Sequence, residues 1–222
     1  MRTILTEVWR QLLEVLFPAI CLNCKKHLGR DESDRAICPD CFSKIDILKS
    51  TSGERLLAVC LYGDPSIKAL IHGLKFKHFT NTLPDIKQLI SLFLENNLSV
   101  LSAEYDFITY IPLHPRRERS RGFNQSRLIA EIFAKAVKLP IHPILRRVRN
   151  TKEQSSIRDP KERTENVKNC FTPLSETTTV KDMNIILVDD VYTSGATALE
   201  AKNTLEMLGA SKVTIFVLAK AG

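Results

Sequence analysis

The chain has 222 residues, 44% of them hydrophobic, with 32 Lys and Arg against 25 Asp and Glu for a formal charge of +7. This is enough apolar material for one substantial core with an appendage, or for two small domains. No run of eighteen uncharged apolar residues occurs, and no small-residue cleavage site follows the N-terminal apolar pattern. Stable membrane insertion and a signal peptide are therefore not expected, and a cytoplasmic protein is.

Taken in chain order, Leu5, Val8, Trp9, Leu12, Leu13 and Leu16 repeat at helical spacing until Pro18 stops the run. Next come Cys21-Leu-Asn-Cys24 and Cys38-Pro-Asp-Cys41, two C-x2-C pairs separated by thirteen residues. Four thiolates at this spacing suit a closed tetrahedral Zn2+ site with a structural role. A disulfide pair is the alternative, less compatible with a reducing compartment. His27 lies between the pairs and could replace a cysteine. The segment between them is polar, so a metal rather than a core would order it. Residues 1–50 thus read as a helix plus a small zinc-ribbon-like module, and residues 51–222 as a separate domain.

That second part alternates strand and helix patterns. Strands are expected at 55–62, 105–113, 141–148, 183–191 and 211–219, and helices at 66–76, 83–98, 123–139 and 196–209. Near-continuous apolar strands between helices indicate an α/β fold, a mostly parallel twisted sheet flanked by helices. The stretch from 150 to 169 is basic and poor in apolar residues. From His114 to Lys168 there are 15 Lys and Arg against 6 Asp and Glu, while the remainder carries 17 against 19. Such a concentration points to a polyanionic partner or a phosphate-rich substrate, and an arginine-rich solvated face is the plain alternative.

The chemistry concentrates in Ile185–Thr197, "IILVDDVYTSGAT". In a parallel sheet, ligands bind beyond the carboxyl ends of strands. Asp189 and Asp190 would emerge there, ahead of a turn leading into a helix near Ala196. Backbone N–H groups of Thr193 to Thr197 at a helix N-terminus form a natural phosphate cradle, with Gly195 permitting close approach. Thr193, Ser194 and Thr197 add hydroxyl donors. Carboxylates repel phosphate but accept hydrogen bonds from sugar hydroxyls. One ligand with a ribose diol and a 5′-phosphate would satisfy both halves. A Walker B reading fails because no Gly-Lys dipeptide exists in the chain.

These thirteen residues resemble the phosphoribosyl pyrophosphate (PRPP) motif of type I phosphoribosyltransferases. "PLHPRRERSRGFNQ" at 112–125, the four cysteines, "LKF" at 74–76, and Thr151, Gln154, Arg163, Asn166, Val167 and Phe171 resemble one subgroup, the ComF (ComFC-type) competence proteins. The resemblance implies a type I phosphoribosyltransferase fold behind the zinc module, and a glycosyltransferase reaction that releases diphosphate. It implies that Asp189 and Asp190 hold the ribose hydroxyls and that Val191, Tyr192, Thr193, Ser194, Gly195, Ala196 and Thr197 form the 5′-phosphate loop. Leu113, His114, Arg116 and Arg117 would occupy the place of the pyrophosphate loop, with Asp189, Asp190, Arg116 and Arg117 as the catalytic set. The 150–169 stretch would be the loop that closes over PRPP, and Mg2+ would accompany the diphosphate.

The implied role is natural transformation: handling of incoming single-stranded DNA in the cytosol, alongside other DNA-uptake proteins. Arg121, Arg146, Arg147, Arg149 and Lys152 are the candidate DNA contacts. Two other functions fit the same motif, a purine or pyrimidine salvage phosphoribosyltransferase and a non-catalytic PRPP-sensing or DNA-binding module. No residue marks a nucleobase pocket, although Tyr62, Lys75 and Phe76 could cover an acceptor.

Overall fold

The computed structural model describes residues 18–50, 55–75, 81–101, 105–152, 154, 157 and 159–222. The expected N-terminal helix and Phe76 lie outside this set. The elements in chain order are α1 (Pro39–Phe42), β1 (Leu56–Leu61), α2 (Pro65–Lys75), α3 (Thr82–Leu101), β2 (Phe107–Tyr110), α4 (Pro115–Arg121) and α5 (Gln125–Val137). Then follow β3 (Leu145–Arg147), α6 (Pro160–Val167), β4 (Phe171–Pro173), β5 (Asn184–Tyr192), α7 (Ala196–Met207) and β6 (Lys212–Lys220).

Four strands form one sheet in the order β1-β6-β5-β2, and every pairing is parallel. Alternation along each strand sends side chains to two faces. Val59, Ile108, Ile186, Val188, Phe216 and Leu218 face α2, α3, α5 and the cysteine module. Ala58, Phe107, Ile185, Leu187, Ile215 and Val217 face α7 and the β3–β4 pair. Phe216 stacks on Phe133 with ring centroids 3.9 Å apart and meets Phe93 edge-on at 5.9 Å. Such aromatic pairs contribute about 0.5–1.5 kcal/mol beyond their burial.

The expected strand over 141–148 is broken in two. Its first part makes a single parallel bridge, Ile141 to Ile108. Its second part, β3, turns away to pair antiparallel with β4. Pro140 and Pro143 flank the bridge, and a residue without an N–H cannot sustain a ladder. The basic 150–169 stretch contains helix α6, started by Pro160 and by Asp159, whose carboxylate accepts from the Lys161 N–H at 2.9 Å.

The cysteine module is fastened to the sheet domain by buried polar contacts. Asp85, fully buried on α3, accepts from the Ala36 N–H at 2.8 Å, the Ile37 N–H at 3.1 Å and Arg35 Nε at 2.8 Å. Asn23 Nδ2 donates to Ser66 Oγ at 2.8 Å, at the start of α2. Ile37, Ile45 and the buried cysteines join the apolar cluster on the same sheet face.

Candidate functional site

Two clusters of chemistry-bearing side chains stand out among the described residues. The first is the cysteine cluster. The sulfurs of Cys21, Cys24, Cys38 and Cys41 all lie within 4.8 Å of one another, with Cys24 and Cys38 at 3.6 Å. Four thiolates on a tetrahedral ion with bonds of about 2.3 Å would sit about 3.8 Å apart, so the cluster could hold a metal such as zinc. His27 is not part of it. Burial raises Cys21, but the N–H groups of Cys38, Cys24 and Asn23 outweigh it and bring the thiol down to about 7. Burial and the neighbouring thiols push Cys41 up to about 12. Four acids so close cannot all ionise without a cation between them.

The second is a cleft of about 400 Å³ at the carboxyl end of β5. Its position follows from strand lengths. β2 ends at Tyr110, opposite Val188, whereas β5 continues to Tyr192 alongside β6. The carboxylate pair therefore lies inside the paired strand on one side and beside a gap on the other. Residues 111–126 close that gap. Their sequence dictates how: Gly122 ends α4 at φ 89°, a left-handed conformation that suits glycine. Asn124 then caps α5, accepting from the N–H groups of Ser126 and Arg127, and its amide donates to the Ile111 carbonyl at 3.0 Å. Gln125 accepts from Arg121 Nη1 at 2.6 Å, and Ser126 Oγ donates to Asp189 Oδ1 at 2.8 Å. The "RGFNQS" stretch is thus a turn that aims Arg121 and Ser126 at the acids.

Asp189 and Asp190 are both more than nine-tenths buried. Burial, with Asp190 beside it, pushes Asp189 up to about 8. Burial acts on Asp190 in the same direction, but Lys75, with Nζ at 2.8 Å from Oδ2, overrides it and holds Asp190 below the ordinary range. Near neutral pH the pair thus keeps one proton. Around it the cleft gathers Lys75, Arg117, Arg121, Arg147 and Arg163, five cations against two carboxylates. Arg147 is buried, hydrogen-bonded to Thr151 Oγ1 at 2.6 Å and set over the Phe171 ring at 5.5 Å. Burial, with the Arg117 charge nearby, lowers its affinity for its proton.

The loop after β5 lines the same cleft through Val191, Thr193, Ser194, Gly195, Ala196 and Thr197. Gly195 sits at φ 75° as the N-cap of α7, and a Cβ there would strike the Tyr192 ring. From the basic stretch, Gln154 Nε2 donates to Thr197 Oγ1 at 3.3 Å and to the Arg163 carbonyl at 3.2 Å, closing one wall.

Of the expected site residues, Leu113, Arg117, Asp189, Asp190 and most of 191–197 line the cleft, whereas His114, Arg116 and Tyr192 do not. His114 Nδ1 caps α4, accepting from the Arg116 N–H at 3.3 Å, and Arg116 is exposed. The expected DNA contacts divide: Arg121 and Arg147 line the cleft, while Arg146, Arg149 and Lys152 are exposed. Ser126, Gln125 and the Lys75–Asp190 pair were not expected from sequence. A serine two places into a capped helix, and a lysine ending a helix, were the available signals.

Residues 124–222 match the family described as phosphoribosyl transferase domain. Along its length the chain is 29% identical to competence protein ComFC of Bacillus subtilis, covering 96% of this chain and 89% of that protein. It is 24% identical to competence protein F of Haemophilus influenzae (94% and 93%). It is 27% identical to DNA utilization protein YhgH of Escherichia coli (90% of each). Among solved structures, a purine phosphoribosyltransferase of Pyrococcus horikoshii is similar over 62% of this chain and 72% of that one, with 14% identity and a TM-score of 0.35.

Proposed function

We propose, for a chain similar to competence proteins along nearly its whole length and carrying a phosphoribosyl transferase domain at 124–222, that the cleft binds PRPP and that the protein serves DNA uptake in the cytosol. The names of its relatives support the second half. The observation that carries the first half is the juxtaposition of two buried carboxylates, five cations and a glycine-capped helix N-terminus in one cleft.

In this reading Asp189 and Asp190 hold the ribose 2′- and 3′-hydroxyls, and the N–H groups and hydroxyls of 193–197 hold the 5′-phosphate. Arg117, Arg121 and Arg147 face the diphosphate, since a planar fork suits phosphate oxygens. Mg2+ would supply neutralisation of the charge that builds as diphosphate departs. Gln154 and Arg163 help close the cleft from water. Zn2+ would be held by Cys21, Cys24, Cys38 and Cys41 with no open position, a structural ion. The division into a module at 1–50 and a phosphoribosyltransferase-like domain at 51–222 belongs to the same proposal. Exposed Arg146, Arg149 and Lys152 remain the candidate surface for single-stranded DNA.

The choice between DNA uptake and base salvage turns on the acceptor. Tyr62 is the single aromatic lining the cleft among the described residues, thin provision for stacking a free base. The test is diphosphate release from PRPP and Mg2+ with a panel of nucleobases and single-stranded DNA. Release stimulated by DNA supports the proposal. Release only with one free base points to salvage, and binding without release points to a sensor.

A further inference from the structure

We propose that Lys75 is a positioning residue for Asp190, and that α2 holds it there from an anchorage on the cysteine module. This rests on the reading of Asp190 as a ligand-binding carboxylate. The two acids are secured differently. Asp189 is fixed by Ser126 Oγ and by the Asp190 N–H, both on Oδ1. Asp190 has an ion pair to Lys75, with Nζ at 2.8 Å from Oδ2. The β5–β6 ladder fixes its backbone, with Asp189 and Val191 paired to Val217 and Ala219. What remains to be set is the direction of its carboxylate, and Lys75 sets it.

A lysine is a point charge on a flexible stem, so its aim depends on where its backbone is held. Lys75 is the last residue of α2, which buries Ile67, Leu70, Ile71 and Leu74 against the sheet. Eleven residues span about 16 Å. At the far end Asp64 caps the helix, accepting from the Ser66 and Ile67 N–H groups at 2.7 and 3.1 Å. Ser66 Oγ accepts from Asn23 Nδ2 at 2.8 Å and donates to the Cys41 carbonyl at 3.4 Å. Asn23 lies between Cys21 and Cys24. One helix thus joins the cysteine cluster to the acid pair.

Charged and titratable groups reach the pair from several elements. Tyr62 follows β1, Arg117 and Arg121 come from α4, Arg147 from β3 and Arg163 from α6. Lys75 Nζ lies 2.8 Å from Asp190 Oδ2, and the Arg121 charge also favours the ionised form of Asp190.

The test begins without ligand, following the unfolding midpoint of the full chain from pH 5 to 9.5. Lys75→Met is expected to fall below wild type increasingly as pH rises, because Asp190 then ionises beside Asp189 without its counter-charge. Lys75→Arg should follow wild type. A drop in Lys75→Met that is the same at every pH overturns the proposal. Asn23→Ala/Ser66→Ala, with metal content verified as unchanged, should show the same trend more weakly. A wild-type profile there overturns the anchorage. Binding of PRPP with Mg2+ is measured separately: Lys75→Met should weaken it about tenfold, the equivalent of one pKa unit, and Lys75→Arg should restore it. Failure of wild type to bind PRPP would end the proposed function, while the ligand-free profile would still decide the role of Lys75.

Discussion

In one region four sulfurs converge in a polar segment with little core of its own. In another, two buried carboxylates and five cations converge at the edge of a well-packed sheet. Both regions would suit an ion, a cation among the four thiols and an anion among the cleft's excess of basic groups. Their relation to stability is opposite. A metal on the four cysteines would hold that segment in shape, whereas the cleft is shaped by the sheet and gathers charges of both signs. A structural centre and a binding centre can thus be told apart by asking which one the fold would be better off without.

The largest expected effect lies in the module. Structural zinc sites carry about 10–16 kcal/mol of apparent binding free energy in isolated peptides. Cys38→Ser should lose a stoichiometric metal and expose the 18–50 segment to protease, by metal analysis and limited proteolysis. Retention of the wild-type melting temperature would remove the module from the stability account. Next comes its fastening. Asp85→Ala strands the Ala36 and Ile37 N–H groups and Arg35, a loss of about 3 kcal/mol read by denaturant unfolding.

The cleft should respond with the opposite sign. Asp189 is raised from 3.8 to about 8 in the fold. Its contribution is complete below pH 3.8, declines as pH rises, and is lost above pH 8. Asp189→Asn keeps the acceptor for Ser126 and removes the charge. It should stabilise the protein on the order of 2 kcal/mol at pH 8.5, with the gain shrinking toward pH 5. Equal effects at both pH values would contradict the buried-charge account. The smallest effect separates neighbours. Arg147→Gln should weaken PRPP binding about tenfold, as for a lost charged hydrogen bond, with Arg146→Gln near wild type. Single-strand binding should show the reverse order, with Arg146→Gln flattening its salt dependence.

Much of this was legible in sequence for a physical reason. The parallel sheet follows from apolar runs separated by helical periodicity, and the strand that carries Asp189 ends within one residue of its expected limit. The cysteine cluster was legible because each C-x2-C turn brings two thiols to one place. What stayed hidden depends on relative strand length and on where helices end. That β2 stops at Tyr110 while β5 runs to Tyr192 creates the cleft, and no local pattern encodes that difference. Arg147 read as one of five candidate DNA contacts, yet alternation along β3 buries it while its neighbour Arg146 stays exposed. Arg116 read as a site residue, yet on α4 it projects to solvent while Arg117 and Arg121 line the cleft.

Calorimetric titration of Mg2+-PRPP into wild type and into Asp189→Ala/Asp190→Ala, at pH 7.5 and fixed salt, asks whether the acid pair holds the ribose. Wild type should show saturable one-site binding and the double variant none, with both proteins folded. Equal binding by the two proteins would contradict that role for the pair.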